Sequence, residues 1–502
     1  MPDPASPVPP DLVPVLIGVG EVNDRPDPPS DGMSSPELMR AALEEADLDA
    51  GGGWLGRLDS LDIVNQISWP VESIETELPR LLGIMPRHVA TGIPTGDGPV
   101  RYLNDAANRI ARGEAEIAAI VGGEALRTAA ACRAGWAADP SKEMMRVRAE
   151  TMASPLRRRY GLLTPTDVYP LYEAGTRAAW GMSLAAAQAE TAAIWSRFSE
   201  IAAENPQAWI RRSYRPDEIL AEGPGNRPIA HPYSKLMVAN ASVNQGAALI
   251  LTSLGRARTA GIPEHRLVYV WAGAGAKEPD DFLRRDRYDR SASMETALRR
   301  TLDLNRIEAS SLDHVELYSC FPCIPKMARR IIGWPGDSPM SVIGGLTFAG
   351  GPIANYMSHA AAGMVHKLRT GSRLGLLFGN GGYATKSHAL ILSRERPPAH
   401  ALNRDYDVQA EADARRGPIP ALIEDYAGPG RIETYTVPYD RDGTPRYGTV
   451  IGRTPSGDRF VARVAPEDNK TLHFLTGGTE EPVGSTGNAA LGADGLVTWR
   501  LA

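Results

Sequence analysis

Residues Ala90 to Ala125 read ATGIPTGDGPVRYLNDAANRIARGEAEIAAIVGGEA, and this stretch decides the fold. Thr95-Gly-Asp-Gly-Pro99 is a tight glycine turn that delivers the chain into a helix, with proline in the first turn, where its missing N–H costs nothing. Asn104 to Arg112 continues that helix, and Ile117 to Val121 is a short apolar run closing on Gly122-Gly123. A helix leading straight into a buried strand is one unit of an α/β layer. A glycine turn ahead of a central helix presents a reactive side chain or grips an anion on its amides. This one offers only Thr95 and Asp97, with no Cys, Ser or Lys inside it.

The same grammar runs outward from that stretch. Upstream, Pro14-Val-Leu-Ile-Gly-Val-Gly-Glu-Val22 reads as a buried strand, Ser35 to Ala46 as a helix with a capping serine ahead of Pro36, and Leu61-Asp-Ile-Val64 as a short strand. Alternating strands and helices predict parallel pairing. The second half repeats the pattern in order. Leu267 to Gly275 matches the opening strand and its glycines. Gly350-Gly-Pro352 opens a helix as Gly96-Asp-Gly-Pro99 does, and Leu374 to Phe378 runs into Gly379-Asn-Gly-Gly382. Three correspondences in one order predict a duplicated pair of α/β halves.

Between the halves, 126–240 is Arg-, Ala- and Trp-rich and predicted to be mostly helical, an insertion. The expected units are therefore 12–125 with 241–265, the insertion, 266–396, and a last unit at 410–502. In the tail, Gly430 to Val437, Tyr447 to Gly452 and Arg459 to Val464 tend to alternate apolar and polar residues. Asp442-Gly443 and Ser456-Gly457 turns separate them, predicting an all-β barrel or sandwich of about 90 residues.

The 502 residues carry a net charge of −6, 43% hydrophobic and 23% charged residues, the profile of an ordinary globular chain with no bulk affinity for nucleic acid or anionic membrane. Met1-Pro-Asp-Pro-Ala5 has neither a basic nor an apolar leader region, and no uncharged apolar run reaches about 18 residues. With only Cys132, Cys320 and Cys323, disulfides are not expected to hold the fold, and a cytoplasmic setting is expected.

These features together resemble the thiolase superfamily, most of all the sterol-carrier-protein-type thiolases and thiolase-like proteins, over roughly Pro14 to Arg394. Gly113 to Glu124 is similar to the segment that closes the first half of those proteins, and Asn244-Gln-Gly-Ala-Ala248 stands where they carry Asp-Gly-Ala-Ala. Val315 to Phe321 resembles their His-Asp-Cys-Phe motif, and Gly344 to Pro352 resembles Gly-His-Pro. The tail around Gly430 to Val437 is similar to the OB-type partners of such thiolases. The resemblance implies an α/β fold of two βαβαβ halves in α-β-α-β-α layers, with a helical insertion and a C-terminal all-β OB-like domain. It implies an acetyl-CoA acetyltransferase-type activity in lipid metabolism, with coenzyme A or acyl-CoA as ligand and no covalently bound cofactor.

Thiolase chemistry needs a thiolate at a helix N-terminus, a second thiol to move the α-proton, and oxyanion holes. By the resemblance, the nucleophile falls at Gly96, so the opening turn looks like a nucleophile elbow without its nucleophile. Asp97 is expected to cap the helix rather than carry an acyl group, since an acyl carboxylate is an unstable anhydride. The amides of Gly96, Asp97 and Gly98 are expected to remain open to an anion or carbonyl oxygen. Gly351 replaces the histidine of Gly-His-Pro, Tyr318 replaces that of His-Asp-Cys-Phe, and Gly379-Asn-Gly381 stands where the second cysteine belongs. Standard turnover is not expected.

Other residues could form a different site. Cys320 keeps its motif position, and Asn355 and His359 lie i, i+4 in the helix after Pro352, with His359 a candidate base and Tyr318 a hydroxyl donor. Arg211 and Arg212, with the basic run Arg157-Arg-Arg159 and Arg215, Arg227 and Lys235, suit coenzyme A phosphates. Lys386 and His388 are expected in a solvated loop. Cys320-Phe-Pro-Cys323 leaves a thiol–disulfide reading open, while the lack of a second ligand pair argues against a metal. An acyltransferase using Cys320 and His359 and a non-catalytic acyl-CoA-binding or scaffold protein both stand, as monomer or homodimer.

Overall fold

The computed structural model describes residues 8–133, 154–402 and 405–502; the Pro-rich start and the 134–153 part of the expected insertion lie outside them. In the first half, β1 (Pro14–Asn23) leads to α1 (Ser35–Asp49), β2 (Ser60–Val64), α2 (Ile74–Leu82), β3 (His88–Ala90), α3 (Gly98–Ala111), β4 (Ile117–Ala125) and α4 (Leu126–Cys132). α1 begins at a capping box, in which the Ser34 hydroxyl accepts from the Glu37 amide and the Glu37 carboxylate accepts from the Ser34 amide at 2.8 Å. The insertion contributes α5 (Pro155–Arg159), α6 (Pro165–Ala179), α7 (Leu184–Glu204) and a small hairpin, β5 (Pro228–Ala230) with β6 (Tyr233–Ser234). β7 (Asn244–Ser253) returns to the first half. The second half runs β8 (Val268–Lys277), α8 (Ala292–Asn305), β9 (His314–Leu317), α9 (Cys323–Ile332), α10 (Tyr356–Arg369), β10 (Leu374–Gly381) and β11 (Lys386–Ser393).

These strands form one nine-stranded sheet in the order β3-β2-β4-β7-β1-β8-β11-β10-β9. The two halves meet where Val15 and Leu16 of β1 pair with Tyr269 and Val268 of β8, and the strand order reads the same outward from that seam. The duplication expected from sequence is therefore real. The expected parallel pairing holds only in part: β2, β3 and β4 are parallel, as are β9 and β10, but β7 and β11 run antiparallel to both neighbours. Each return strand is the second arm of a half and closes on its first strand. α3 and α10 lie side by side and touch strands of both halves, while α1 covers β1, β7 and β4 from outside and α8 covers β8 and β11. The layers are α-β-α-β-α, with α3 and α10 in the middle one.

The tail folds as β12 (Leu422–Ile423), β13 (Gly428–Thr436), β14 (Gly448–Arg453), β15 (Arg459–Val464), α11 (Asn469–Thr476), β16 (Thr486–Leu491) and β17 (Val497–Leu501). The order β15-β14-β13-β16-β17 closes on itself through a parallel contact between Arg463 and Thr498, with the helix between the third and fourth barrel strands. This is a five-stranded Greek-key barrel of OB type. It is clamped onto the rest of the chain. Thr434 and Thr449 hydroxyls donate to the Leu171 and Tyr160 carbonyls at 2.5 and 3.0 Å. Arg459, wholly buried, forks onto Glu433 at 2.8 and 2.7 Å and donates to the carbonyls of Leu283 and Arg285 at 2.7 and 2.6 Å. Arg459→Met strips these carbonyls of their donor and is expected to cost about 3–5 kcal/mol, the scale for breaking a buried ion pair, seen as a lower unfolding midpoint. An unchanged midpoint would show that the barrel does not dock through Arg459.

Candidate functional site

The Thr95–Pro99 turn is buried against the end of β10. A Cβ added at Gly379 would stand 2.9 Å from the Asp97 Cα and 3.2 Å from the Gly96 carbonyl, and one at Gly381 would overlap the Asp97 carboxylate. A Cβ at Gly96 would overlap the Tyr318 hydroxyl and the Asn380 carbonyl. The space a nucleophile needs is therefore taken by protein. Two expectations change. Asp97 does not cap α3 with its side chain: its backbone is already helical (φ −80°, ψ −17°), which turns the carboxylate away from the first amides, and its Oδ1 has no partner among the described residues. The turn is also roofed rather than open, since Tyr318, placed just beyond β9, lies over Gly96 with its ring edge-on to Tyr356. Gly351 is the looser position, where an added Cβ would stand 3.3 Å from the Asn240 and Leu346 carbonyls and 3.4 Å from the Ala239 Cβ.

Tyr169 of α6 plugs the neighbouring space. Its hydroxyl donates to the Gly382 carbonyl at 3.2 Å and accepts from Asn380 Nδ2 at 3.1 Å, and its ring stacks on Phe321 at 4.5 Å. Cys320 is buried beside that hydroxyl and the Asn380 amide; burial pushes its thiol up to about 12, against the pull of both partners. Cys323, at the head of α9, is held well above the ordinary thiol range by burial and by Glu173. Both are free thiols. A buried thiol held protonated is neither an activated nucleophile nor a ready exchange partner.

Asn355 immediately precedes α10 rather than lying in it, and its amide packs against Gly122 of β4 with both Nδ2 and Oδ1 unpartnered among the described residues. His359 does not hydrogen-bond to Cys320 or the turn. Its Nδ1 pairs with Glu21 of β1 at 2.8 Å, leaving the buried Nε2 without a partner. A groove of about 730 Å³ between α1, the end of α7 and α10 includes Glu21 in its lining, giving this pair a route to solvent.

Strand register adds residues that the sequence reading missed. Asn23, Gln245 and Glu124 are directly paired across β1, β7 and β4, so their side chains share one face. Asn23 and Gln245 both donate to the Gln207 carbonyl, and Gln245 also to that of Ala349 at 2.9 Å. Asn23 Oδ1, Gln245 Oε1 and Glu124 Oε2 have no partner among the described residues. The adjacent row holds Glu21, Ala247 and Gly122, and so His359 and Asn355. Burial raises the Glu124 carboxyl to about 7 despite hydrogen bonds from Ser68 and the Ile67 amide, making it a proton donor or acceptor near neutrality. The only sequence signal was the strand ends that hold these residues, at Gly122-Gly123-Glu124 and Asn244-Gln245.

The arginines divide. Arg212 is engaged by Glu218 at 2.9 Å, Arg215 by Asp217 at 2.9 Å, and Arg157 is buried over the Phe282 ring, so none of these is a free phosphate ligand; Arg211 is exposed. His388 is not in a solvated loop. It lies inside β11, accepting or donating at 3.1 Å with Asn104, and burial lowers it to about 3.

Residues 407–494 match the family model of the thiolase-like protein type 1 additional C-terminal domain. A monomeric SCP2-thiolase like protein type 1 from Mycobacterium smegmatis is 30% identical over 98% of this chain and 99% of its own, with a TM-score of 0.81. The chain belongs to that family. Fold alone is shared with an Ltp2-ChsH2(DUF35) aldolase (19% identity, 77% of this chain and 99% of that one, TM-score 0.59) and with human mitochondrial 3-ketoacyl-CoA thiolase (13%, 76% and 99%, 0.57). No curated protein matches. No described helix is long and apolar enough to cross a membrane.

Two outcomes follow for this family member. Gly96→Ala forces a methyl onto Tyr318 and the Asn380 backbone and is expected to cost about 1–3 kcal/mol in urea unfolding; an unchanged midpoint would mean that the turn has room to spare. Glu124 has a folded-state value above its unfolded one. Its burial penalty is therefore absent at pH 4 and below, grows through neutrality and is full above it. Glu124→Gln should gain about 2–3 kcal/mol over wild type on going from pH 5 to pH 8, and an equal difference at both pH values would contradict this.

Proposed function

We propose that this chain is an acyl-CoA-handling member of its family that binds coenzyme A thioesters and lacks standard thiolase turnover. The observation that supports this reading is the occupied space at Gly96, where the Tyr318 hydroxyl and Asn380 carbonyl lie where a nucleophilic side chain would stand. Gly351 and Gly379 bear no side chain to act as an oxyanion donor or a second thiol. Cys320 is the remaining sulfur at a family motif, and its burial opposes thiolate formation. A human mitochondrial 3-ketoacyl-CoA thiolase of the same fold has been solved in complex with CoA, which supports the ligand class. The proposed units are those expected from sequence, with the barrel fixed to the insertion, and the proposed setting is a cytoplasmic monomer or homodimer.

A second reading, acid–base chemistry on a bound thioester, is favoured by the His359–Glu21 pair: a carboxylate orients one ring nitrogen and leaves the other free, the arrangement of a positioned base. The readings separate in one experiment. Acetoacetyl-CoA cleavage is expected to be absent, and Gly96→Cys is expected not to restore it, while calorimetry detects coenzyme A binding. Turnover lost in Cys320→Ala would move acyl transfer to Cys320. Turnover retained there but lost in His359→Ala would favour the base.

A further inference from the structure

Almost every arginine in the middle of this molecule has an acidic partner: Arg109 pairs with Asp62, Arg369 and Arg266 with Asp49, Arg330 with Glu190 and Arg459 with Glu433. Arg25, Arg127 and Arg211 do not; no described carboxylate lies within ion-pairing distance of any of them, yet Arg25 and Arg127 are brought to one indole and Arg211 acts on Arg25 through its field. The Arg25 guanidinium sits 4.4 Å from the Trp209 ring centroid and that of Arg127 5.8 Å from it, and Arg211 follows two residues on. Arg25 is further fixed by donating to the Ala208 carbonyl at 2.7 Å. Its proton affinity is lowered, first by burial and then by the fields of Arg127 and Arg211, so the three charges repel one another. Like charges assembled without a counter-charge cost free energy that an anion recovers.

The place is as informative as the charge. Arg25 is two residues beyond Asn23 at the carboxyl end of β1, and Arg127 is three beyond Glu124 at that of β4. Trp209 is two beyond Gln207, whose carbonyl accepts from Asn23 and Gln245. The Trp209 amide in turn donates to the Ala349 carbonyl at 3.0 Å, next to Gly350-Gly351. The arginines therefore stand at the outer edge of the row of unpartnered polar atoms. In open α/β sheets the carboxyl ends of strands are where ligands enter. Arg25 spends Nη2 on the Ala208 carbonyl, which leaves its remaining N–H groups and the Arg127 guanidinium to donate to phosphate oxygens.

We infer that Arg25 and Arg127, set on Trp209, with Arg211 two residues beyond it, form a binding site for the phosphate of a phosphate ester or diphosphate whose uncharged part reaches towards Asn23, Gln245 and Glu124. The site assigns phosphate recognition to the ends of β1 and β4 rather than to Arg212, which Glu218 already holds. It rests on the acyl-CoA reading only for the identity of the ligand, since coenzyme A and other phosphate esters bring the same group.

The test is calorimetric titration of the full chain with inorganic pyrophosphate, coenzyme A and pantetheine, at low and high salt. Arg25→Ala and Arg127→Ala are each expected to weaken pyrophosphate by about 10- to 100-fold, the loss of one charge-assisted contact, with binding falling as salt rises. Arg25→Lys and Arg127→Lys keep the charge and lose the fork, and should weaken binding less; they serve if an alanine variant melts early. If pyrophosphate binds and the variants weaken it while neither coenzyme A nor pantetheine binds, the phosphate site stands and the acyl-CoA reading falls. If coenzyme A and pantetheine bind equally well and the arginine variants leave both unchanged, the acyl-CoA reading stands and this inference is overturned. Failure of pyrophosphate to bind wild-type protein at about 10 mM, the edge of measurable affinity, also overturns it.

Discussion

The head of α3 lies directly against the end of β10, with glycine at 96, 379 and 381 where the two backbones meet. That contact orders much of what surrounds it. Because no side chain separates the helix from the strand, the Asp97 carboxylate nests over Gly381, and Tyr318 closes over Gly96 from β9. Asn380, between the glycines, then reaches Tyr169 of the insertion, which bonds to Gly382 and stacks on Phe321. A helix from outside the two halves is thereby locked to the seam of the second one. The barrel docks on that same helix through Thr434 and Arg177, so its position depends indirectly on the glycine contact.

Two buried carboxylates of the second half and the insertion are fully held. Glu316 accepts from the Tyr356 hydroxyl at 2.7 Å, the Ser341 hydroxyl at 2.9 Å and the Val342 amide at 2.8 Å. Glu173 is held by Lys326 and by the Tyr233 hydroxyl. Asn23, Glu124, Gln245, Asn355 and His359, gathered in two neighbouring rows, instead leave buried polar atoms without a partner among the described residues. A buried acceptor left unbonded costs about 1–3 kcal/mol, so such a group is retained where a ligand or water completes it. Arg25 and Arg127 lie over Trp209 just beyond the ends of β1 and β4, and a groove reaches Glu21.

Much of this was legible in one dimension. The duplicated order of strand, glycine turn and helix follows from local periodicity, and the barrel strands at Gly448–Arg453 and Arg459–Val464 from their alternation and turns. Other elements were not: β16, β17 and α11 carry weak patterns because barrel closure, rather than a local preference, sets their conformation. The antiparallel course of β7 and β11 was hidden for a similar reason, since direction in a sheet is fixed by which neighbour the strand closes upon. Asp97 was misread as a cap because its residue type suits one, whereas the packing of α3 on β10 places its backbone in a helical conformation.

The sequence alone determined that Gly96, Gly351 and Gly379 offer no side chain, because the absence of an atom is a local fact. Whether the space beside Gly96 is open was decided only by tertiary structure, since Tyr318 and Asn380 reach it from positions more than 200 residues away. The same holds for the row of Asn23, Glu124 and Gln245 and for the arginines around Trp209. Strand register and loop docking bring together residues that no spacing along the chain relates, and side chains act on one another through distance in space.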